Sequence, residues 1–490
     1  MPPAPPKSPR AKPSGLPLLF LALLATGLVA CRRDPPRPWN VLLIVSDTMR
    51  ADALTCYGGP TRTPNICGLA ERGVRFERAY TNAPWTLPST ASLFTSKYAS
   101  QFAPTVLPNP DLIRIRVPDS EVLLAEALTT RGYDTLSHVE NTIAGRPNAL
   151  QGLVTNLLKG QRGGPLPPEL GFDASIHRYR RLVPILRYLS SPGPRPFYGL
   201  YWFRDPHAPY SPPDKHSAGL DAIPLPHPLD YYRGLAHGSV PERGERKLRN
   251  ALPELSAVEL ALLRDMYHRE AESIDERVGN LLRALELSGR KERTIVVFTS
   301  DHGEAFGEHG HYLHGEGYHE EVVRVPLIVA GPAVPAGRVV EDPVALVDLM
   351  PTLSELLRVA YLVEPQGLSL VPLMRGRRPA ELVDRVHYLV NPIREAGTDA
   401  AFWGRYKLIT AENDRILELY DLEKDPGEKT NLAAQEPSIV ARLILALRKI
   451  RAENARRQAI LEAAEGRVPG AVSAEDEETQ RQLKAVGYVD

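Results

Sequence analysis

This sequence has little cysteine and no net charge. Three cysteines occur in 490 residues, and lysine plus arginine equals aspartate plus glutamate at 59 each. A balanced charge gives no indication of nucleic acid or of a strongly acidic partner. The apolar run Leu18–Ala30 is shorter than the roughly 20 residues that a membrane-spanning helix needs. The length is nevertheless sufficient for a large core and more than one structural unit.

The N-terminal segment has the organisation of an export signal. Three basic residues, Lys7, Arg10 and Lys12, precede the apolar run, which ends in Leu-Val-Ala before Cys31. This arrangement resembles a bacterial lipoprotein signal, in which the cysteine becomes the lipidated first residue of the mature chain. Arg32 stands where an aspartate would signal retention at the inner membrane. We expect a lipid-anchored protein of the cell envelope, in the periplasm or at the outer membrane or cell surface; an uncleaved anchor is the alternative.

The other two cysteines, Cys56 and Cys67, leave two alternatives open. In an oxidising compartment they can pair, because the loop between them is short. Two buried thiols agree with the sequence equally well, since spacing alone does not give the distance between the Cα atoms.

Three short apolar runs, each followed by polar residues suited to chemistry, predict buried strands. VLLIV precedes Asp47, FYGLYWF precedes His207, and TIVVF precedes Asp301 and His302. Continuous apolar runs of this length are typical of strands buried on both faces of a parallel sheet. Ligands bind at the carboxyl ends of such strands, so these side chains are candidate site residues. For Asp47 taken alone, a helix cap is the alternative.

The stretch APWTLPSTASLFTSK predicts a helix N-terminus beside a hydroxyl group. Pro88 suits the first turn of a helix, because its missing N–H is not needed there. Thr86 then lies just ahead of the helix, where unpaired N–H groups and the dipole favour negative charge. Taken alone, Thr86 is more often a simple N-cap than a reacting group.

Histidine is concentrated after the last of these strands. The segment GEHGHYLHG adds His309, His311 and His314 close behind Asp301 and His302, although the whole chain has only 13 histidines. A carboxylate beside an imidazole supplies oxygen and nitrogen ligands that suit Zn²⁺, Mn²⁺ or similar ions. The sequence therefore predicts a metal site at this strand end.

In this order, the motifs resemble the sulfatase-like branch of the alkaline phosphatase superfamily. The matching segments are NVLLIVSDTMRADALTCYG, RGVRFERAYTNAPWTLPSTASLFTS, DPHAPY, VVFTSDHGEAFGEHG, YHEEVVRVPLIVAGP, LVDLMPTL and ELYDLEKDPGEKTNLA. The resemblance implies an α/β fold with a large, mixed, mostly parallel central sheet flanked by helices, and a smaller C-terminal α+β subdomain. We expect four regions: a signal peptide (1–30), a linker (31–39), a catalytic domain (40–375) and a C-terminal subdomain with a small antiparallel sheet and a helical tail (376–490).

The resemblance also implies the site residues. It implies one divalent metal ion (Zn, Mn, Ca or Mg) held by Asp47, Thr86, Asp301 and His302. His207 and His314 match positions that usually touch the anionic group of the substrate, and they are candidate catalytic residues together with Thr86.

Four departures from the sulfatase pattern concern the reacting group and the anion site. True sulfatases have Cys or Ser at the position of Thr86, followed by an arginine where this chain has Thr90, and convert it to formylglycine. The usual aspartate pair is Asp47 and Thr48 here, so one carboxylate is missing. Residues 139–142, Val-Glu-Asn-Thr, replace the usual Gly-Lys-x-His element.

A threonine nucleophile is similar instead to that of phosphoethanolamine transferases and lipoteichoic acid synthases. We therefore expect an exported, metal-dependent hydrolase or transferase acting on a phospho-ester of a small molecule, a glycan or a lipid-linked group, with no nucleic-acid partner. One alternative is a sulfuric ester hydrolase that lacks formylglycine. The other is a catalytically inactive binding lipoprotein.

Overall fold

A computed structural model describes residues 1, 38–102, 117–118, 120–140, 182–220, 226, 254–360, 364–391, 398–411 and 414–464. The chain divides into two units, residues 1–38 and 39–490, and the fold described below belongs to the second. Within the described ranges, no helix combines the length and the apolar character needed to cross a bilayer. The signal segment and Cys31 lie outside these ranges, so the lipid anchor stays a prediction.

The described residues form fourteen strands and ten α-helices. The strands are β1 (Asn40–Ser46), β2 (Gly73–Tyr80), β3 (Asp134–Val139), β4 (Phe197–Phe203), β5 (Thr294–Ser300), β6 (Ala305–Phe306), β7 (Tyr312–Leu313), β8 (Arg324–Ala330), β9 (Arg338–Val340), β10 (Val344–Ala345), β11 (His387–Val390), β12 (Asp399–Trp403), β13 (Tyr406–Ala411) and β14 (Ile416–Asp421). The helices are α1 (Pro64–Glu71), α2 (Thr86–Thr95), α3 (Leu124–Thr129), α4 (Val183–Ser190), α5 (Ala257–Leu287), α6 (Glu320–Val323), α7 (Leu349–Leu357), α8 (Val371–Met374), α9 (Ala380–Val383) and α10 (Pro437–Ala464).

The central sheet is mixed and mostly parallel, as predicted. Its eight strands run in the order β10-β2-β8-β5-β1-β4-β3, with β9 paired to β2. Only β8 runs against its neighbours β2 and β5. The alternation of side chains along β1 explains the layers, because Val41 and Leu43 pack into one core while Leu42 and Ile44 pack into the other. Helices α2 and α7 cover the first face, and α5 covers the second.

The parallel pairing of the middle strands brings their carboxyl ends to one edge. Ser46 of β1 lies in register with Phe203 of β4 on one side and with Ser300 of β5 on the other. The residue after β1, Asp47, extends the ladder by donating its backbone N–H to the carbonyl of Phe203 at 3.0 Å. The polar residues that follow these strands are therefore neighbours in space.

The C-terminal region carries a second, smaller sheet. Strands β11 to β14 form an antiparallel sheet in chain order, and the apolar face of α10 contributes Leu443 and Leu447 to the core beneath it. Strands β13 and β14 confirm the sheet predicted there. Helix α10 follows the last strand of this sheet.

Three local details of the structure either differ from the prediction made from sequence or complete it. Helix α4 lies in a segment that reads as irregular; its buried face is short, formed by Ile185, Leu186, Tyr188 and Leu189. Helix α2 begins at Thr86 itself. Pro88 therefore lies in the first turn of the helix, where its missing N–H is not needed. Cys56 and Cys67 are joined by a disulfide with their Cα atoms 5.4 Å apart, which resolves the open alternative.

Candidate active site

Four predicted site residues meet at the carboxyl edge of the central sheet. Asp47 follows β1, Asp301 and His302 follow β5, and Thr86 opens α2. One ligand atom from each of Asp47, Asp301 and His302 lies within 4.8 Å of the others. The Thr86 hydroxyl lies 3.1 Å from Nε2 of His302. All four side chains are buried.

Backbone contacts fix the imidazole of His302. Its Nδ1 lies 3.0 Å from the carbonyl oxygen of Gly303, and its backbone N–H donates to Oδ1 of Asp301 at 3.0 Å. Because a carbonyl oxygen only accepts, Nδ1 carries the proton in this contact. Nε2 therefore presents its lone pair towards Thr86 and the two aspartates, which is the form that ligates metal.

Helix α2 is anchored so that its N-terminus stays at the sheet edge. Ser89 donates its hydroxyl to the carbonyl of Asp301 at 2.6 Å and accepts from the hydroxyl of Thr81 at 2.8 Å. Just before the helix, the indole of Trp85 donates to Asn391 at 3.0 Å. These bonds place the first turn of α2, with its unpaired N–H groups and positive dipole end, beside the carboxylate pair.

The cluster fits a divalent cation. Burial raises the pKa of the Asp301 carboxyl, and this effect outweighs the nearby His302 and the hydrogen bonds from Thr48, His302 and Thr86, which lower it. Its Oδ2 atom is buried and has no hydrogen-bond donor among the described residues. Two buried carboxylates close to an imidazole and a hydroxyl form the hard, mixed oxygen and nitrogen donor set that such ions prefer. Asp47, Asp301, His302 and Thr86 would hold the ion.

Thr48 and Thr90 show how the two departures are accommodated. Thr48, in place of an aspartate, has a φ of 58° and donates its backbone N–H to Oδ1 of Asp301 at 3.2 Å. Thr90, in place of an arginine, donates its hydroxyl to the carbonyl of Thr86 at 2.6 Å. Both residues support the cluster through local bonds, and neither supplies a charge.

His207 and His314 lie together beside the cluster, and both are buried. The ring centroids of His314 and His302 are 4.6 Å apart, and those of His314 and His207 are 4.8 Å apart. Nδ1 of His207 contacts the carbonyl of Ala208, so Nδ1 carries the proton there. Gly315, next to His314, donates its backbone N–H to the carbonyl of Pro84 at 2.9 Å and so ties this loop to the segment before Thr86.

Sequence reasoning missed Glu304. Its Oε1 lies 2.9 Å from Nδ1 of His314, and both side chains are buried. A carboxylate that accepts from one imidazole nitrogen fixes the tautomer and the ring orientation of that histidine. The signal was available, since Glu304 is the third residue after Asp301 at the same strand end.

Sequence reasoning also missed the support of the His207 loop. Arg277 of α5 is fully buried, and its Nη2 lies 2.6 Å from Oδ2 of Asp205. Its Nη1 lies 3.6 Å from Oε2 of Glu140, and its guanidinium stacks over the ring of Phe203 at 4.5 Å. Glu140 lies within the 139–142 segment, which replaces the usual cationic element. The charged side chain at this position is therefore a buried glutamate that is paired with Arg277.

The predicted histidine-rich segment does not form one site. His314 joins the active-site cluster, whereas His309 stacks on His319 and His311 lies near that pair. The sequence shows only that the three residues are close along the chain.

Comparison with known proteins gives the family. The sequence profile named Sulfatase matches residues 39–359, which is more than half of the chain, and a profile named N-sulphoglucosamine sulphohydrolase, C-terminal, matches residues 307–453. This chain belongs to the sulfatase family. It is therefore a sulfatase-family hydrolase acting on ester bonds, and members of this family typically bind a divalent metal ion.

Similar sulfatase-family proteins span nearly the whole chain. Arylsulfatase K of Gallus gallus is 28% identical, over 89% of this chain and 88% of its own length. The Δ4,5-hexuronate-2-O-sulfatase of Bacteroides thetaiotaomicron is 25% identical, over 84% of this chain and 88% of its own. The structure of the phosphonate monoester hydrolase of Agrobacterium radiobacter is similar with a TM-score of 0.64 and 23% identity, covering 85% and 96% of the two chains. At that identity the structural likeness shows the shared fold.

Proposed function

We propose that this sulfatase-family chain is a metal-dependent phospho-ester hydrolase or transferase with unmodified Thr86 as its nucleophile. The observation that carries the proposal is the position of the Thr86 hydroxyl, 3.1 Å from His302 Nε2 and beside two buried aspartates. A free hydroxyl is a weak nucleophile, and metal coordination together with a helix N-terminus activates it. Thr86 satisfies both conditions.

The chemistry of threonine supports phosphorus over sulfur as the reacting centre. Formylglycine arises from Cys or Ser, and its hydrate has two hydroxyls on one carbon, so a sulfated form can expel sulfate by re-forming the aldehyde. Threonine has one hydroxyl, so its ester must be cleaved by attack at the central atom. In-line attack on phosphorus is the ordinary route for a phosphothreonine ester.

The reaction then has two balanced steps. First, a bond forms between Thr86 Oγ1 and phosphorus, the bond from phosphorus to the leaving oxygen breaks, and the hydroxyl proton passes to water. A divalent cation held by Asp47, Asp301, His302 and Thr86 would favour ionisation of the hydroxyl and neutralise charge on the phosphoryl oxygens. His207 or His314, protonated at Nε2, donates that proton to the leaving oxygen. Second, water or an acceptor alcohol attacks phosphorus and gives up its proton to the histidine, the bond to Oγ1 breaks, and Oγ1 takes up a proton from water.

Sulfate-ester hydrolysis is the second candidate. Its support is the printed activity of the relatives, since arylsulfatase K and the hexuronate 2-O-sulfatase are both sulfatases at 25–28% identity over most of the chain. On this proposal the substrate is a sulfated glycan or a small aryl sulfate, and Thr86 acts without conversion to an aldehyde. An inactive binding protein is the outcome if metal is retained without turnover of either ester.

We propose an envelope location with a lipid anchor at Cys31. The support is the basic and apolar N-terminal segment with its Leu-Val-Ala-Cys end. A small-molecule, glycan-linked or lipid-linked ester at the membrane surface would then be the substrate.

Metal analysis and a substrate screen on one preparation test the proposed function. The full-length chain, purified in detergent, is analysed for metal and assayed with aryl phosphomonoesters, phosphodiesters and sulfates. We expect turnover of a phospho-ester, and loss of turnover together with the ion of the active-site cluster in Asp301→Ala. Turnover of sulfates alone would replace the proposal with the second candidate, and an unchanged metal content in Asp301→Ala would reject the metal assignment.

A further inference from the structure

A second group of metal-ligating side chains lies outside the active-site cluster. His309 follows β6, His319 is the residue before α6, and Glu321 lies within α6. One ligand atom from each lies within 4.8 Å of the others. His309 Nδ1 is 2.8 Å from Oε1 of Glu321, and Glu418 of β14 reaches the group from the C-terminal sheet.

His319 is a buried side chain whose ring nitrogens are available to bind a ligand. It is 6% exposed, and neither ring nitrogen has a hydrogen-bond partner within the part of the chain that the structure describes. Oε2 of Glu418 lies 3.7 Å from Nε2, beyond hydrogen-bond length. Burial lowers the pKa of His319, and this effect outweighs the contact with Glu418, which raises it. An unpaired buried imidazole is costly, and a bound cation removes that cost.

The rings of His309 and His319 stack on each other, which disfavours protonation of both at once. His309 and His319 have ring centroids 3.7 Å apart and planes inclined by 7°. Two protonated rings at this distance would repel. Nδ1 of His309 faces Oε1 of Glu321 at 2.8 Å, and its Nε2 faces the carbonyl oxygen of Gly427 at 3.2 Å. The proton between His309 and Glu321 is therefore the one that a metal ion would displace.

An open cavity gives access to the group. It has a volume of about 440 Å³, and His309 and Glu321 line it beside Arg50 and Arg324. Both arginines are already paired with carboxylates: Arg50 with Asp52 and Glu308, and Arg324 with Glu77. His309 itself is a surface residue, so an ion from solvent can reach it.

We propose that His309, His319 and Glu321 bind a second divalent ion, Zn²⁺ by chemical preference, with Glu418 as the neighbouring carboxylate. Two imidazoles and a carboxylate are a common zinc donor set. The ion would join the loop that leads into His314 to the helix that precedes β8. Its role is to hold that loop in place, separately from the chemistry at Thr86.

Zinc stoichiometry of the full-length chain tests the proposal. The parent and its variants are saturated with Zn²⁺, dialysed free of excess, and measured by elemental analysis against protein concentration. We expect two equivalents in the parent, one in His319→Ala and one in His309→Ala. Asp301→Ala also retains one equivalent, and the double variant Asp301→Ala/His319→Ala retains none.

A neighbouring histidine provides the matched control. The ring centroid of His311 lies 5.9 Å from that of His319, but His311 does not belong to the three-residue group. His311→Ala should keep two equivalents. Equal zinc content in the parent, His309→Ala and His319→Ala would overturn the proposal. If His319→Ala fails to fold, His309→Ala alone decides, because His309 lies at the surface and belongs to none of the apolar cores.

Discussion

Replacing Arg277 with methionine should destabilise the fold by about 3 to 5 kcal/mol. The guanidinium is fully buried between the carboxylates of Asp205 and Glu140, at 2.6 and 3.6 Å. Methionine keeps the apolar stem and its contact with the Phe203 ring but removes the charge. Two largely buried carboxylates would then remain without their cation, and breaking such a group costs much more than its net contribution when intact.

The pH dependence of this loss has a definite sign. Burial already raises the pKa of Glu140, with Arg277 acting in the opposite direction. Without Arg277 the folded-state pKa rises further above its unfolded value, so stability falls as the pH rises through that range. The free energy of unfolding, measured by denaturant titration, should therefore show a larger loss at pH 8 than at pH 5.

Two further variants make this test specific. Arg264→Met removes a half-exposed arginine from the same helix, paired with Glu308 at 2.7 Å, and should cost less than about 1 kcal/mol. Adding Asp205→Asn and Glu140→Gln to Arg277→Met should recover part of the loss, because the carboxylates are no longer charged. A loss below about 1 kcal/mol at pH 8 for Arg277→Met, or no recovery in the triple variant, would refute the reasoning.

Three other predictions concern separate features. Glu304→Gln should lower kcat about tenfold or more and move the pH optimum downward, with little change in thermal unfolding. The reason is that His314 loses the carboxylate that orients its ring. An unchanged kcat would contradict this. Cys31→Ser should leave the precursor uncleaved by the lipoprotein peptidase, and a variant that matures and fractionates like the parent contradicts the lipid anchor. Burial raises the pKa of Asp399 to about 6 despite its contact with Arg451. The parent should therefore lose about 2 kcal/mol relative to Asp399→Asn as the pH rises from 4 to 7, and parallel stability profiles would contradict this.

The sequence predicted those parts of the site that depend on strand topology. Asp47, Asp301 and His302 each follow a continuous apolar run, and parallel neighbours end at one edge, so their convergence follows from local pattern and a general rule. Thr86 became a candidate through the family resemblance together with its place ahead of Pro88, and the helix begins at Thr86 itself. The disulfide stayed open, because loop length does not fix the separation of two Cα atoms.

Contacts between distant segments were beyond the sequence. Arg277 lies on a long helix whose apolar face gives the only readable signal, and nothing in the spacing links it to Asp205 or Glu140. The stacking of His309 on His319 depends on how the C-terminal sheet packs against the loop. Such contacts are set by tertiary packing, which periodicity does not encode.

The most direct test of the proposed mechanism is a covalent adduct on Thr86. The full-length chain is incubated with a slow phosphodiester substrate, quenched and digested, and the peptide that contains Thr86 is identified by mass, with Thr86→Ser and Thr86→Val as variants. The mechanism predicts a phosphorylated Thr86 in the parent, partial activity in Thr86→Ser and almost none in Thr86→Val, which keeps the shape but lacks the hydroxyl. Substantial turnover by Thr86→Val, with no adduct in the parent, would contradict it and make water the attacking group.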